Sequence, residues 1–268
     1  MNYRHAFHAG NFADCVKHAL LVWLVRAMQR KEAGLFILDT HAGIGAYDLA
    51  SEAATRTGEW RDGIGRLVDA PPGALADYVG LVKASDSYPG SPALVRALLR
   101  PQDRLVCCEL HREDVATLRR RFARDRQVEV HHRDGWEALG ALLPPRERRG
   151  LILIDPPYEA EDELARVMEG LRTGLKRFGT GVFVVWYPIK HRAPLRSFEA
   201  ALRGLRDVVT AELWLRPPLD PARLNGCGLA VVNPPFGFEA AAEPILAALA
   251  DRLGGPEAGH AVARLADE

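Results

Sequence analysis

Short runs of consecutive apolar residues recur along the chain, and segments with helical spacing of apolar positions separate them. Such runs are typical of strands buried on both faces of a sheet. The predicted strands, several of them given together with the first residues of the loop that follows, lie at 35–39, 104–110, 128–135, 150–158, 180–189, 208–215 and 227–235. Because strands that alternate with helices favour a parallel sheet covered on both faces, we predict a doubly wound α/β fold with seven strands. The last two strands are close enough in sequence to pair as neighbours.

The segments between these strands predict the helices and one insertion. Asn11 is expected to cap the first helix, because Asp14 follows it at capping-box spacing. Helices are predicted at 13–31, 111–125, 161–178 and 194–206, and the chain beyond 235 is predicted to be helical with a polar tail.

The stretch 48–100 contains Ala-rich helical segments and no strong strand, so it is predicted to be a helical insertion. The main domain would then consist of residues 1–47, which hold an N-terminal segment, the first helix and the first strand, and of residues 101–268.

Composition indicates a globular protein. The chain has 268 residues, of which 48% are hydrophobic and 26% charged, and 35 basic residues balance 35 acidic ones. No apolar run reaches the roughly 18–20 residues that cross a bilayer, and the N-terminus has no signal-peptide core, so no membrane partner is expected. The four cysteines form no CxxC pair, and the histidine spacings match no metal-ligand pattern. We therefore expect a cytoplasmic protein without a structural metal.

The zero net charge hides an uneven distribution. The segment from Arg166 to Arg206 contains nine Lys or Arg residues and two acidic ones, whereas the residues from Glu239 onward are acidic. A local basic face is what phosphate binding requires, whatever the total charge. We therefore predict phosphate contacts in this segment, which follows the fourth predicted strand.

In parallel sheets, ligands bind beyond the carboxyl ends of the strands. Two glycines, Gly43 and Gly45, follow the first strand, but Asp48 stands where the dinucleotide fingerprint requires a third glycine, which disfavours an NAD enzyme. Glu109 follows the second strand and suits the ribose hydroxyls of a nucleoside. Asp134, with Gly135, follows the third and suits an adenine amino group. Each signal is weak alone, but three in succession favour a nucleoside cofactor.

Asp155-Pro156-Pro157-Tyr158 follows the fourth strand and is the strongest chemical signal in the chain. Asp155 ends a run of buried aliphatic residues, where an unpaired carboxylate is costly. The prolines fix the backbone and remove two N–H donors, so carbonyl acceptors remain. Tyr158 adds a flat ring on which a base can stack. The motif therefore suits a planar exocyclic amine.

A second motif of the same form, Asn233-Pro234-Pro235-Phe236, follows the last predicted strand. It carries a carboxamide instead of a carboxylate and lies far in sequence from the glycine loop. We predict a structural turn there and assign the chemistry to Asp155.

These motifs together resemble the class I S-adenosylmethionine-dependent methyltransferases that modify exocyclic amines. The stretches YRHAFHAGNFADCVKH, DTHAGIGAY, YPGSP, GLILIDPPYE and VVWYPI resemble one group in particular, the bacterial RlmJ family, over nearly the whole chain. The resemblance implies a Rossmann-like sheet with an antiparallel last strand. It also implies S-adenosyl-L-methionine as cofactor and N6-methylation of an adenine, position 2030, in 23S ribosomal RNA.

The resemblance also implies residue roles. In this family the N-terminal segment closes over the site. The catalytic group would be Asp155, Pro156, Tyr158, His5 and Lys17. The cofactor would contact Lys17, His18, His41, Gly43, Ser91, Glu109, Asp134, Gly135 and Asp155. The RNA would contact Tyr3, His5 and Tyr158. Ala46 replaces an arginine that the family has before the tyrosine of its glycine loop, which removes one candidate RNA contact.

Alternatives remain at this stage. The chain could methylate adenine in DNA or another RNA, although it has no room for a target-recognition domain, or glutamine in a protein, although those enzymes usually carry NPPY. It could also be a non-catalytic RNA-binding protein with the same fold. We expect a monomer acting on naked 23S RNA or on an early assembly intermediate.

Overall fold

The computed structural model describes residues 4–267. In it the chain forms one large sheet and one two-stranded ribbon. The strands are β1 (Phe36–Asp39), β2 (Ala46–Tyr47), β3 (Tyr88–Pro89), β4 (Arg104–Glu109), β5 (Val128–His132), β6 (Gly150–Ile154), β7 (Val182–Ile189), β8 (Val208–Trp214), β9 (Gly226–Val232) and β10 (Gly259–Ala266).

The large sheet has the strand order β10-β8-β9-β7-β6-β1-β4-β5. The five strands from β7 to β5 are parallel. Strand β9 is antiparallel to both β7 and β8, as the predicted antiparallel last strand requires. The predicted mostly parallel α/β fold is confirmed. The order changes direction at β1 and β6, so the carboxyl ends of these neighbours border the crevice where a doubly wound sheet binds its ligands.

Helices cover both faces of the sheet. They are α1 (Phe12–Met28), α2 (Glu52–Thr57), α3 (Glu59–Asp62), α4 (Gly65–Val68), α5 (Ala76–Lys83), α6 (Ser91–Leu98), α7 (Arg112–Arg121), α8 (Gly135–Ala141), α9 (Glu163–Arg177), α10 (Arg192–Leu202) and α11 (Phe238–Leu253). The cluster on one face includes α1, α6 and α11, and the cluster on the other face includes α8, α9 and α10. No helix within residues 4–267 combines the length and apolarity needed to span a membrane.

Helix α1 begins as its sequence predicts. The Asn11 carboxamide accepts a hydrogen bond from the Asp14 backbone N–H at 3.0 Å, which satisfies one of the free donors of the first turn. The helix begins one residue before the predicted Ala13 and ends at Met28, three residues before the predicted Lys31. It is buried along most of its length, which fixes the polar side chains of its first turns against the sheet.

The insertion between β1 and β4 contains helices α2 to α6, in agreement with its helical composition. It also contributes a short strand, β3, that sequence reasoning missed. Tyr88 pairs with Tyr47, and Gly90 N–H donates to the Gly45 carbonyl at 3.0 Å. This ribbon attaches the insertion to the glycine loop. The division of the chain at residues 48 and 100 stays a prediction.

The polar tail prediction is wrong. After helix α11 the chain forms β10, an eighth strand that pairs antiparallel with β8 at the edge of the sheet. All its residues are half-buried or exposed, and His260 and Arg264 interrupt its apolar positions, so it lacks the long apolar run by which the other strands were found. Edge strands commonly carry charged residues such as Arg264, since one side of the strand faces water.

Candidate functional site

The carboxyl ends of β1, β4, β6 and β7 border a cleft of about 1440 Å³. The N-terminal segment, the first turns of α1 and the start of α6 form its other walls. All the predicted site residues within residues 4–267 line this cleft. Tyr3 lies outside the described residues, so its predicted contact with RNA remains a prediction.

Lys17 connects helix α1 to the Asp-Pro-Pro-Tyr motif. Its Nζ lies 2.7 Å from Asp155 Oδ2 and 3.0 Å from Asp14 Oδ1. Burial alone would lower the pKa of Lys17, but the charges of Asp14 and Asp155 raise it well above its usual range. The ammonium therefore stays charged and holds the Asp155 carboxylate in one orientation. Lys17 is only 6% exposed, so little water screens this pair.

Asp14 is a residue of the site that sequence reasoning used only as a capping signal. Besides Lys17, its carboxylate accepts a hydrogen bond from Gly10 N–H at 2.9 Å and lies 2.9 Å from His5 Nε2. Burial would raise the pKa of Asp14, but the charges of His5 and Lys17 hold it well below its usual range. Asp14 thus joins His5 to Lys17. The spacing of three residues between Asp14 and Lys17, on one helix face, is the signal that could have revealed it.

Tyr158 forms a wall of the cleft beside Asp155. Its hydroxyl donates to the Trp186 carbonyl at 2.5 Å, and the two rings meet edge to face with centroids 5.6 Å apart. Tyr158 has a positive φ of 52°, which turns the chain after the two prolines. Pro156 and Pro157 line the same wall, as does Trp186, which no sequence signal identified. Two aromatic rings inclined at 62° to each other can hold a planar base by its face and its edge.

Glu109 is hydrogen-bonded to the glycine loop. Its carboxylate accepts hydrogen bonds from Gly43 N–H at 2.8 Å and His111 N–H at 2.7 Å. Burial raises the pKa of Glu109, and these two donors oppose that rise. Gly43 has a φ of +60°, and a Cβ there would lie 2.5 Å from the Tyr47 hydroxyl, so the turn requires glycine. Each carboxylate oxygen has a second lone pair, which can accept a ribose hydroxyl.

Ser91 and Asp39 form a buried pair at the end of β1. Ser91 Oγ donates to Asp39 Oδ2 at 2.6 Å, and His41 N–H donates to Asp39 Oδ1 at 3.3 Å. Burial raises the pKa of Asp39 to about 6. The predicted cofactor contact of Ser91 therefore lies beside a second carboxyl group, that of Asp39, to which the sequence analysis gave no role in the site.

The loop after β5 packs directly against the loop after β1. A Cβ on Gly135 would lie 2.4 Å from the Thr40 carbonyl oxygen, so only glycine fits. Asp134 caps helix α8 by accepting from Trp136 N–H at 2.7 Å. The Trp136 ring meets His41 edge to face at 5.1 Å, and burial lowers the pKa of His41 to about 4, so this imidazole is neutral. Trp136 is a further lining residue that sequence reasoning missed.

His18 has one buried ring nitrogen without a hydrogen bond to any described residue, and Asp14 Oδ1 lies 3.9 Å from it. Its Nδ1 lies 2.9 Å from the Tyr88 hydroxyl, and burial lowers its pKa to about 3, so the ring is neutral. Its Nε2 is buried and has no hydrogen-bond partner within residues 4–267. A buried polar atom without a partner is costly, and a bound ligand can satisfy it. Together with the cradle at Gly135 and the acceptors of Glu109, this atom fits a nucleoside cofactor.

The second Pro-Pro motif forms a turn after β9, as predicted. The Asn233 carboxamide donates to the carbonyls of Gly179 and Gly181 at 2.9 and 2.8 Å and so ties β9 to the turn before β7. Phe236 is 95% exposed, and none of the four residues lines the cleft.

Most cations of the basic segment, Arg166 to Arg206, lie outside the cleft, contrary to the prediction. Of its nine cations only Arg166 and Lys190 line the cleft. Arg192 pairs with Glu212, Arg177 donates to the Leu143 carbonyl, and Arg172 and Lys176 lie exposed on α9. The reason is that α9 and α10 bury their apolar faces against the sheet, which directs their cations outward. Ala46, in turn, is buried in the ribbon opposite Pro89.

The chain is similar to known proteins over nearly its whole length. The family model described as "Ribosomal RNA large subunit methyltransferase D, RlmJ" matches residues 32–265. Two proteins named Ribosomal RNA large subunit methyltransferase J, from Haemophilus influenzae and Escherichia coli, are each 40% identical to this chain. The alignments cover 94% of both sequences for the first and 97% of both for the second.

Solved structures show the same fold. The crystal structure of a Legionella pneumophila protein superimposes with a TM-score of 0.89 and 34% identity, covering 96% of this chain and 98% of that one. A probable spermidine synthase from Corynebacterium glutamicum, at 16% identity and a TM-score of 0.50, covers 91% of this chain and 74% of that one and shares the fold alone. On the family match and the two close relatives, the chain belongs to the RlmJ family of large-subunit ribosomal RNA methyltransferases.

Proposed function

We propose that this protein transfers the methyl group of S-adenosylmethionine to the N6 amine of one adenine in 23S ribosomal RNA. The observation that supports this most strongly is the placement of the Asp155 carboxylate. It lies between the residues that fit a nucleoside cofactor and the aromatic wall of Tyr158 and Trp186, and a buried lysine orients it. When bound, the cofactor supplies an electrophilic methyl group on a positively charged sulfur.

Asp155 and the neighbouring backbone orient the amine. Lys17 contacts Oδ2, so Oδ1 remains for one N6 hydrogen, and the carbonyl of Pro156 can accept the other. Acceptors on both hydrogens draw them out of the ring plane and localise the nitrogen lone pair toward the methyl group. Since orientation supplies much of the rate, no strong base is needed. Asp155 can then take the proton that the methylated nitrogen releases.

The cofactor-side residues hold the nucleoside rather than react. Glu109 would accept the ribose hydroxyls, and Asp134 would accept the adenine amino group while still capping α8. His18 Nε2 would gain the partner that it lacks. His41, Gly43, Ser91 and Gly135 would complete this half of the cleft.

The N-terminal segment would close over the bound target. His5 lies at the start of this segment and reaches Asp14, which in turn contacts Lys17. Contact of RNA with Tyr3 and His5 would therefore be transmitted to the lysine that orients Asp155.

The test is to delete the gene in its host and analyse 23S RNA nucleosides by mass spectrometry. We expect one N6-methyladenine to disappear and to return when the wild-type gene is restored. An unchanged modification pattern would reject the assignment. The purified protein can then be tested in vitro on protein-free RNA and on assembled subunits, which decides between naked RNA and an assembly intermediate. We propose that the protein acts in the cytoplasm.

The second candidate, an RNA-binding protein without catalysis, makes a different prediction. It would bind no S-adenosylmethionine in isothermal titration. The free Nε2 of His18 and the intact Glu109 and Asp155 favour the enzyme.

A further inference from the structure

Charges of both signs line the cleft, and three of its cations are already paired: Arg4 with Glu113, Arg66 with Asp62 and Arg166 with Glu163. The side that fits the cofactor is acidic, with Glu109, Glu113, Asp114 and Asp134. The opposite side, beyond Tyr158 and Trp186, carries the cations Lys190, Arg216 and Arg223. We call these three residues the basic wall. Phosphate groups are repelled by the first side and attracted by the second.

The basic wall is free to bind a ligand. No ion pair or side-chain hydrogen bond within residues 4–267 engages Lys190, Arg216 or Arg223. Two other arginines of the region differ in this respect, because Arg166 pairs with Glu163 and Arg192 with Glu212. Cations that face a cleft without a protein partner are available to neutralise phosphates.

Asn225 holds the wall together. This fully buried side chain donates to the Lys190 carbonyl at 2.7 Å and to the Asp220 carbonyl at 2.8 Å. Its own N–H donates to the Ile189 carbonyl at 3.0 Å. It thereby fastens the β8–β9 loop, residues 215–225, to the end of β7. On the same strand, the Trp186 carbonyl accepts a hydrogen bond from the Tyr158 hydroxyl. The basic wall and the aromatic pocket therefore form one continuous side of the cleft.

We propose that Lys190, Arg216 and Arg223 bind the RNA phosphates that flank the target adenosine. This inference rests on the proposed function. A base that enters the Tyr158 pocket must leave its stack, so its flanking phosphates pass over the rim of that pocket. The basic wall is the rim on the side away from the acidic cofactor half. Such contacts position the strand and carry no base specificity.

The test compares two triple variants in steady-state methylation of 23S RNA. Lys190→Ala/Arg216→Ala/Arg223→Ala removes the basic wall. Arg172→Ala/Lys176→Ala/Arg196→Ala removes three exposed cations from the outer faces of α9 and α10 and is matched in charge. We expect the KM for RNA of the wall variant to be at least about tenfold higher than that of the wild type. The slope of log RNA affinity against log salt concentration should also become shallower by up to about two units, since each phosphate contact on a single strand contributes about 0.7.

Controls separate this result from misfolding and from failure of the proposed function. The wall variant should keep the wild-type melting temperature and S-adenosylmethionine affinity, and a charge-retaining Lys190→Arg/Arg216→Lys/Arg223→Lys variant should recover most of the RNA affinity. An unchanged KM, or an equal loss in the α9–α10 variant, overturns the basic wall. A wild-type protein that transfers no methyl group to RNA would instead overturn the proposed function.

Discussion

At the scale of single residues, the site depends on a chain of contacts from His5 through Asp14 and Lys17 to Asp155. The sequence motif identified Asp155, and the family resemblance added His5 and Lys17. Neither revealed that Lys17 contacts Asp155, because the two residues are 138 positions apart and only the packing of α1 on the sheet brings them together. Contacts of this kind are set by tertiary structure and have no local signature.

Asp14→Asn tests the positioning role of Asp14. The substitution keeps the size of the side chain but removes the negative charge that faces Lys17 and His5. We expect kcat to fall by about tenfold to a hundredfold, because small displacements of an orienting group have effects of this size. Affinity for S-adenosylmethionine in isothermal titration should stay within about twofold. An unchanged kcat would show that Asp14 serves only to stabilise the helix.

Asp39 gives stability an unusual dependence on pH. Burial raises its folded-state pKa to about 6, above its value in the unfolded chain, so the folded state holds the extra proton between about pH 4 and 6. The contribution of Asp39 to the free energy of unfolding therefore falls as pH rises through that window. We expect the free energy of unfolding of Asp39→Asn, relative to that of the wild type, to rise by about 2–3 kcal/mol as the pH increases from 4 to 7. Urea titrations without cofactor at several pH values measure the difference, and a constant difference would contradict it.

At the scale of elements, the hydrophobic pattern predicted the buried strands. It therefore also placed the glycine loop after the first strand and the Asp-Pro-Pro-Tyr motif after β6. Alternation of strands and helices has few topological solutions, so the neighbours β1 and β6 could be anticipated. The ribbon of Tyr47 with Tyr88 and the edge strand β10 could not, because two-residue strands and half-exposed edges leave no apolar run.

Two glycines of helix α8 provide a matched pair at this scale. A Cβ on Gly135 would overlap the Thr40 carbonyl, whereas a Cβ on Gly140 would meet only Thr173 Cγ2 at 3.9 Å. We expect Gly135→Ala to push α8 away from the loop after β1 and to weaken S-adenosylmethionine binding at least about tenfold. Gly140→Ala should bind normally and be more stable by about 0.5–1 kcal/mol, since alanine favours helix. Equal cofactor affinities in titration calorimetry would count against this packing.

At the scale of the whole molecule, a net charge of zero is the average of unlike surfaces. The sequence predicted a basic region near the catalytic loop, but most cations of α9 and α10 lie outside the cleft. Lys190, which belongs to the predicted segment, lines the cleft together with Arg216 and Arg223 of the β8–β9 loop. Linear sequence reports how many charges a segment has, and the fold decides which surface they share.

The central claim is that Asp155 orients an adenine N6 amine for methylation. The most direct test is to incubate 23S RNA transcript with S-adenosylmethionine carrying a deuterated methyl group and to identify the labelled nucleoside by mass spectrometry. The wild-type protein and Phe236→Ala, altered in the second Pro-Pro motif, should both yield deuterated N6-methyladenosine. Asp155→Ala should yield none while still binding the cofactor in titration calorimetry. Normal turnover by Asp155→Ala, or label on any atom other than N6, would contradict the account.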